Sequence, residues 1–148
     1  MGARHQGDIL KLTKASTPDV GVVLVVGTAH LGEFGSVENI AKTKQELILG
    51  LNSNATAVLG SYDSWTANMA NGLPIRKILF GENQEIRAAD IEMHGGFAHF
   101  DLVTPAGRNP VSLQLMGEQQ IPNALAAASA AFALGISNEE IATGLTIA

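Results

Sequence analysis

The sequence predicts an α/β fold: a mostly parallel sheet flanked by helices, with an antiparallel hairpin annex. Three observations predict it. Residues 20–26 read VGVVLVV, a continuous, mainly β-branched run of the kind found in strands buried on both faces of a parallel sheet. Strand-like and helix-like segments then alternate as far as Phe80. Beyond Ile86, apolar residues recur at every second position, which is the grammar of a hairpin.

The elements follow in chain order. Residues 8–16 place Ile9, Leu10 and Leu12 on a short helix that Pro18-Asp19 ends. The strand at 20–26 delivers Gly27-Thr28-Ala29-His30 to its carboxyl edge, and Gly32 and Gly35 punctuate the loop. Ser36 is a good N-cap, with Glu38 in the first turn, for a helix running to about Gly50, read as a C′ glycine. A second strand covers Ala55 to Leu59. Residues 60–74 form a polar loop with one helical turn around Trp65. A third strand spans Arg76 to Phe80 and stops at Gly81. Phe97 to Val103 and Val111 to Leu115 alternate across a turn at residues 105–110. An alanine-rich helix from Pro122 to Leu134 has Pro near its start and Gly135 at its end. Ser137-Asn138-Glu139-Glu140 is a capping box that opens one more helix.

Composition narrows the function. The 148 residues suit one domain with a sizeable core, 46% of them hydrophobic and 16% charged. The net charge of -5 gives no electrostatic help in holding a phosphate backbone, so nucleic acid is a disfavoured partner. The absence of Cys excludes a disulfide framework, a thiolate zinc site and a cysteine nucleophile. No apolar run is long enough to span a membrane and no export signal opens the sequence, so the expected compartment is the cytoplasm. The sequence starts and stops within structured-looking segments, and the expectation is a piece of a larger protein.

Two residues carry the chemical argument. Ligands of open parallel sheets gather beyond the carboxyl ends of the strands. His30 falls there and is either a metal or phosphate contact or a structural loop histidine. The helix after it has an apolar stripe of Val37, Ile40, Ala41, Leu47 and Ile48. Lys44 lies on that stripe, whereas Lys42 faces solvent. An inward lysine snorkels out, pairs with an anion, or loses its charge and becomes available for covalent chemistry. One product is a carbamate formed with carbon dioxide, an anion able to hold a divalent metal. Spacing alone leaves these alternatives open. His5, His94 and His99 read as structural or surface residues. No Ser-His-Asp constellation, HExxH or GxxxxGK[ST] pattern is present.

Taken together, Met1-Gly2-Ala3-Arg4-His5-Gln6-Gly7-Asp8-Ile9, the stretch from Val26 to Ser36, Ile40-Ala41-Lys42-Thr43-Lys44-Gln45-Glu46 and Asn123-Ala124-Leu125-Ala126-Ala127-Ala128 resemble the Mur ligases over essentially the whole chain. The closest resemblance is to the members that add D-alanyl-D-alanine to UDP-N-acetylmuramoyl-tripeptide in peptidoglycan synthesis. It implies a truncated central ATP-binding domain of the P-loop-type fold. The N-terminal UDP-sugar domain, the phosphate loop and the C-terminal domain are not in this sequence. The implied reaction uses ATP and Mg2+. ATP phosphorylates the terminal carboxylate, the dipeptide amine attacks the acyl phosphate through a tetrahedral intermediate, and phosphate leaves as the amide forms.

The resemblance implies that His30 ligates magnesium, that Lys44 is carbamylated and supports a magnesium ion, and that Asn123 contacts adenine. Gln119 and Gln120 stand where the family usually has histidine and asparagine, and they are weaker candidates for the nucleotide edge. Gly60-Ser61-Tyr62 replaces the usual Asn-Ala-Asp. The isolated chain is expected to be inactive. Two alternatives stand beside this reading: the central domain of another Mur ligase or of folylpolyglutamate synthase, and a noncatalytic α/β binding module.

Overall fold

The computed structural model describes residues 5–27 and 35–148. The chain divides into two compact units, Met1–Lys77 and Ile78–Ala148.

The first unit contains α1 (Asp8–Ser16), β1 (Val20–Val23), α2 (Val37–Leu49), β2 (Thr56–Gly60) and the one-turn helix α3 (Ser64–Ala67). β1 and β2 pair in parallel, from Val20 opposite Thr56 to Val23 opposite Leu59. The boundary between the units falls inside β3 (Arg76–Phe80), third in the sheet order β1-β2-β3.

The expectation for residues 20–26 needs correction. Only Val20–Val23 form a strand, and burial alternates along it. The strand buried at every position is β2. Among the described residues β1 pairs with β2 alone, whereas β2 lies between β1 and β3.

The helix ends follow their sequence signals, with one difference. Ser36 Oγ accepts from the Asn39 amide, as an N-cap should. Gly50 caps α2 in a right-handed conformation, φ -87°, so handedness does not require glycine there. Space does: a Cβ on Gly50 would lie 2.8 Å from Thr13 Cβ of α1. α1 has no side-chain cap of its own at Gly7. Glu46 of α2 supplies it, accepting from the Gly7 amide at 2.6 Å and the Leu10 amide at 3.2 Å. A carboxylate on two orphan amides at a helix N-terminus is favourable by charge as well as by hydrogen bonding. Glu46→Ala is expected to destabilise the protein by about 1–2 kcal/mol. Urea unfolding with an unchanged slope and a lower midpoint is the check.

The second unit holds the rest of β3, the antiparallel sheet β4 (Arg87–His94), β5 (Phe97–Thr104) and β6 (Gly107–Met116), then α4 (Gln120–Ala133) and α5 (Asn138–Ile147). β5 alternates strictly, with Ala98, Phe100, Leu102 and Thr104 buried. The antiparallel annex is present, as a three-stranded meander in the order β4-β5-β6. β4 carries no buried residue, so it shows no apolar alternation to read. The turn expected over 105–110 is also shorter. Thr104 already pairs with Gly107, and Pro110 lies within β6 opposite Asp101. Proline is tolerated there because β6 is an edge strand, where a missing amide need not break a ladder.

The two C-terminal helices match their signals closely. Pro122 sits in the first turn of α4, where its missing amide has no intrahelical partner to lose. Gly135 takes φ +83°. Its amide donates to Phe132 O and the Ile136 amide to Ala131 O, the paired closure of a helix C-terminus. The Ser137–Glu140 capping box opens α5.

Candidate functional site

Lys44 is half-buried on α2, and its Nζ donates to Val25 O at 2.6 Å. Lys42, on the outer face, is exposed and pairs with Glu38 at 2.8 Å. The helical stripe therefore separates the two lysines correctly. The partner of Lys44 is none of those the sequence offered. It is a backbone carbonyl just beyond the end of β1.

Asp63 reaches the same place from the other side. Its Oδ2 accepts from the Val26 amide at 2.9 Å and from Thr66 Oγ1 at 2.8 Å, while Oδ1 accepts from the Thr66 amide at 2.8 Å. Partial burial pushes the Asp63 carboxyl up, but the donors from Thr66, Val26 and Trp65 outweigh it and hold the carboxyl below its usual value. Sequence reading passed over Asp63. Its signal was the cap pattern Asp63-Ser64-Trp65-Thr66, which marks a helix start; the bond to Val26, 37 positions back, leaves no local trace.

The other candidates are placed as follows. His30 lies outside the described residues. Asn123 is exposed on the first turn of α4, and its Nδ2 donates to Gln120 Oε1 at 3.0 Å. Gln120 is half-buried and Gln119 exposed. Asn123 and Gln120 line a cavity of about 100 Å³ with Leu113, Leu115, Ala124 and Leu145. Lys44 belongs to the first unit and Asn123 to the second.

Among the described residues, no three His, Cys, Asp or Glu side chains are grouped as a metal centre requires. Lys44 as it stands donates to a carbonyl, so the described side chains do not themselves fit a divalent cation. A larger cavity of about 440 Å³ opens between α2 and α3, lined by Ala41, Gln45, Trp65 and Met69 among others. Two of its polar groups are already engaged: Gln45 donates to Met69 O, and Lys42 holds Glu38. It lies on the side of α2 marked by Lys42, not by Lys44.

Comparison with known proteins gives a consistent result. Residues 1–131 match the family model described as the Mur ligase middle domain. The chain is 38% identical over 151 aligned positions to the UDP-N-acetylmuramoyl-tripeptide–D-alanyl-D-alanine ligase of Mycobacterium tuberculosis H37Rv, covering 100% of this chain and 30% of the relative. It superposes on MurF from Acinetobacter baumannii with a TM-score of 0.94 and 38% identity, covering 100% of this chain and 33% of that one. MurF from Thermotoga maritima, solved in complex with ADP, matches with a TM-score of 0.81 and 30% identity over 99% of this chain and 34% of that one. The chain thus spans about a third of the length of the relatives it matches.

Proposed function

Because the chain belongs to the Mur ligase family, we propose that it forms part of the central ATP-binding domain of an amide ligase that joins D-alanyl-D-alanine to UDP-N-acetylmuramoyl-tripeptide. The observation that carries this reading is its end-to-end alignment, at 38% identity, with a ligase named for those two substrates. The family's phosphate loop, UDP-sugar domain and C-terminal domain then lie outside this sequence.

The chemistry follows from what such a reaction needs. A carboxylate is a poor acyl donor until its oxygen becomes a leaving group. Phosphoryl transfer from ATP makes it one, and the dipeptide amine then displaces phosphate at the acyl carbon. The protein's task in phosphoryl transfer is to position groups and offset negative charge. Magnesium, when bound, supplies that positive charge beside the phosphates.

Lys44 contributes to a magnesium site only after its charge is inverted. Its neutral amine adds to carbon dioxide, one C–N bond forms, one proton leaves, and the product is a carbamate anion. In this reading a carbamate on Lys44, together with His30, would hold magnesium. Asn123 binds the adenine edge, with Gln120 and Gln119 beside it. No described helix is long and apolar enough to cross a membrane; the proposed compartment is the cytoplasm, where the nucleotide substrates are made.

Phosphate release from the complete gene product tests the reading. Release is expected only when ATP, Mg2+, the muramoyl-tripeptide and D-alanyl-D-alanine are all present, and the 148-residue chain alone is expected to release none. Release that ignores the dipeptide, or that follows a different amine acceptor, overturns the substrate assignment.

A further inference from the structure

We propose that Asn71-Gly72 is a site of spontaneous covalent modification, at which the Asn71 side chain closes onto the main chain and is hydrolysed to aspartate and isoaspartate, with Lys77 assisting. The site is independent of the ligase reaction.

The pair lies between α3 and β3, and Asn71, Gly72 and Lys77 are all exposed. Asn71 is the only asparagine in the sequence that precedes glycine. Ring closure needs the next amide nitrogen to reach the side-chain carbon, and glycine has no Cβ to obstruct that approach. Gly72 takes φ +77°, and a Cβ built on it would meet nothing within 4 Å, so water has free access. The flanking turn bonds run from the Asn71 amide to Asn68 O and from the Leu73 amide to Ala70 O. Among the described residues no acceptor holds the Gly72 amide. The attacking nitrogen therefore gives up no hydrogen bond of the fold.

The Asn71 side chain is engaged at both ends. Lys77 Nζ donates to its Oδ1 at 3.2 Å, and its Nδ2 donates to Asn68 Oδ1 at 2.7 Å. A cation on Oδ1 draws electrons from Cγ and sits where negative charge collects in the tetrahedral adduct. The Gly72 nitrogen loses its proton to hydroxide and attacks Cγ, forming a C–N bond. The Cγ–Nδ2 bond breaks, and ammonia leaves with a proton from solvent. Water then opens the cyclic imide. Opening at Cγ gives aspartate. Opening at the main-chain carbonyl carbon gives isoaspartate, in which the chain runs through Cγ. Nothing is oxidised or reduced.

The product alters α3. Asn68 Nδ2 holds Ser64 O at 2.7 Å, and the bond from Asn71 keeps that amide turned the right way. A carboxylate at position 71 has no proton to donate, so two acceptors face each other. Asn68 then turns, and Ser64 O is released.

Peptide mapping by mass spectrometry, on the complete protein held at mildly alkaline pH, tests the proposal. The amide-to-acid mass gain is expected first at Asn71, ahead of Asn52, which is also exposed but precedes serine. Both products are expected, and an endoprotease that cuts before aspartate but not before isoaspartate separates them. Gly72→Ala is expected to slow conversion by about 10-fold, since attack needs close approach of the nitrogen. Lys77→Met is expected to slow it by about 3-fold, the scale of one exposed charged contact. In urea-unfolded protein, where that contact is absent, Lys77→Met is expected to have no effect. Asn71→Asp is expected to speed amide exchange at Ala67, which donates to Asp63 O, by about 5-fold, the scale of one neutral hydrogen bond.

No gain at Asn71, a gain that comes first at Asn52, or an undiminished rate in Gly72→Ala overturns the site. An undiminished rate in Lys77→Met, or an equal slowing in urea, overturns the part given to Lys77. Unaltered exchange at Ala67 overturns the effect on α3. If the positive φ keeps Gly72→Ala from folding, Gly72→Asn, which tolerates that φ better, is read in the same way.

Discussion

Lys44→Ala is expected to lower the rate of ATP-dependent amide formation in the complete protein by about 100- to 1,000-fold, the scale on which a charge-stabilising group counts in a transition state. The substitution removes the amine that sits 2.6 Å from Val25 O and with it any carbamate. Lys44→Arg separates the two roles. Arginine keeps a positive charge and a donor for Val25, but a guanidinium does not form a stable carbamate, and Arg does not lose its proton. Lys44→Arg is therefore expected to fold as the unsubstituted protein does and to be as inactive as Lys44→Ala. Retained activity in Lys44→Arg would show that the residue acts as a cation and would remove the carbamate from the mechanism. Steady-state phosphate release gives the rates. A carbonyl resonance from 13C-labelled bicarbonate, present in the unsubstituted protein and lost in both variants, gives the modification.

Gly60→Ala is expected to cost about 3 kcal/mol, at the upper end of what overpacking usually costs. A Cβ built on Gly60 lies 2.0 Å from the backbone oxygen of Leu24. Neither group can yield by a side-chain rotation, since one is fixed in β2 and the other is backbone. The change must displace the residues after β1, and those are the residues that present Val25 to Lys44. The prediction is thus double. Urea or thermal unfolding should shift to lower stability, and whatever folded protein remains should show faster exchange at Val26. In this protein the missing side chain makes room for the close approach of the strand exit.

These expectations rest on features of different legibility. The capping box at Ser137, the glycine closure at Gly135 and the N-cap at Ser36 were readable because each is written within a few consecutive residues. β5 was readable because one face is buried and the other is not. β4 was not, because nothing on it is buried and no apolar period marks it. The run at 20–26 misled for a related reason. Composition says that a segment can be buried on both faces, but its neighbours decide whether it is, and here the doubly buried place belongs to β2.

The same division runs through the candidate site. Helical periodicity put Lys44 inward and Lys42 outward, as the structure has them, since 3.6 residues per turn is a property of one helix alone. Family resemblance marked Asn123, Gln119 and Gln120, and the first of these lines a small cavity in the second unit.

By itself, the sequence determined the fold class, the helix ends and the inward turn of Lys44, because local stereochemistry and hydrophobic period govern these over short stretches of chain, and its motifs carried the family resemblance. Only the tertiary structure decided what Lys44 holds, that Asp63 grips the other end of the same peptide, and that Glu46 caps a helix it does not belong to. Each of those bonds joins side chains and amides 19 to 39 positions apart. Partners at such distances meet only when separate elements are packed together, and no local pattern in the chain records the meeting.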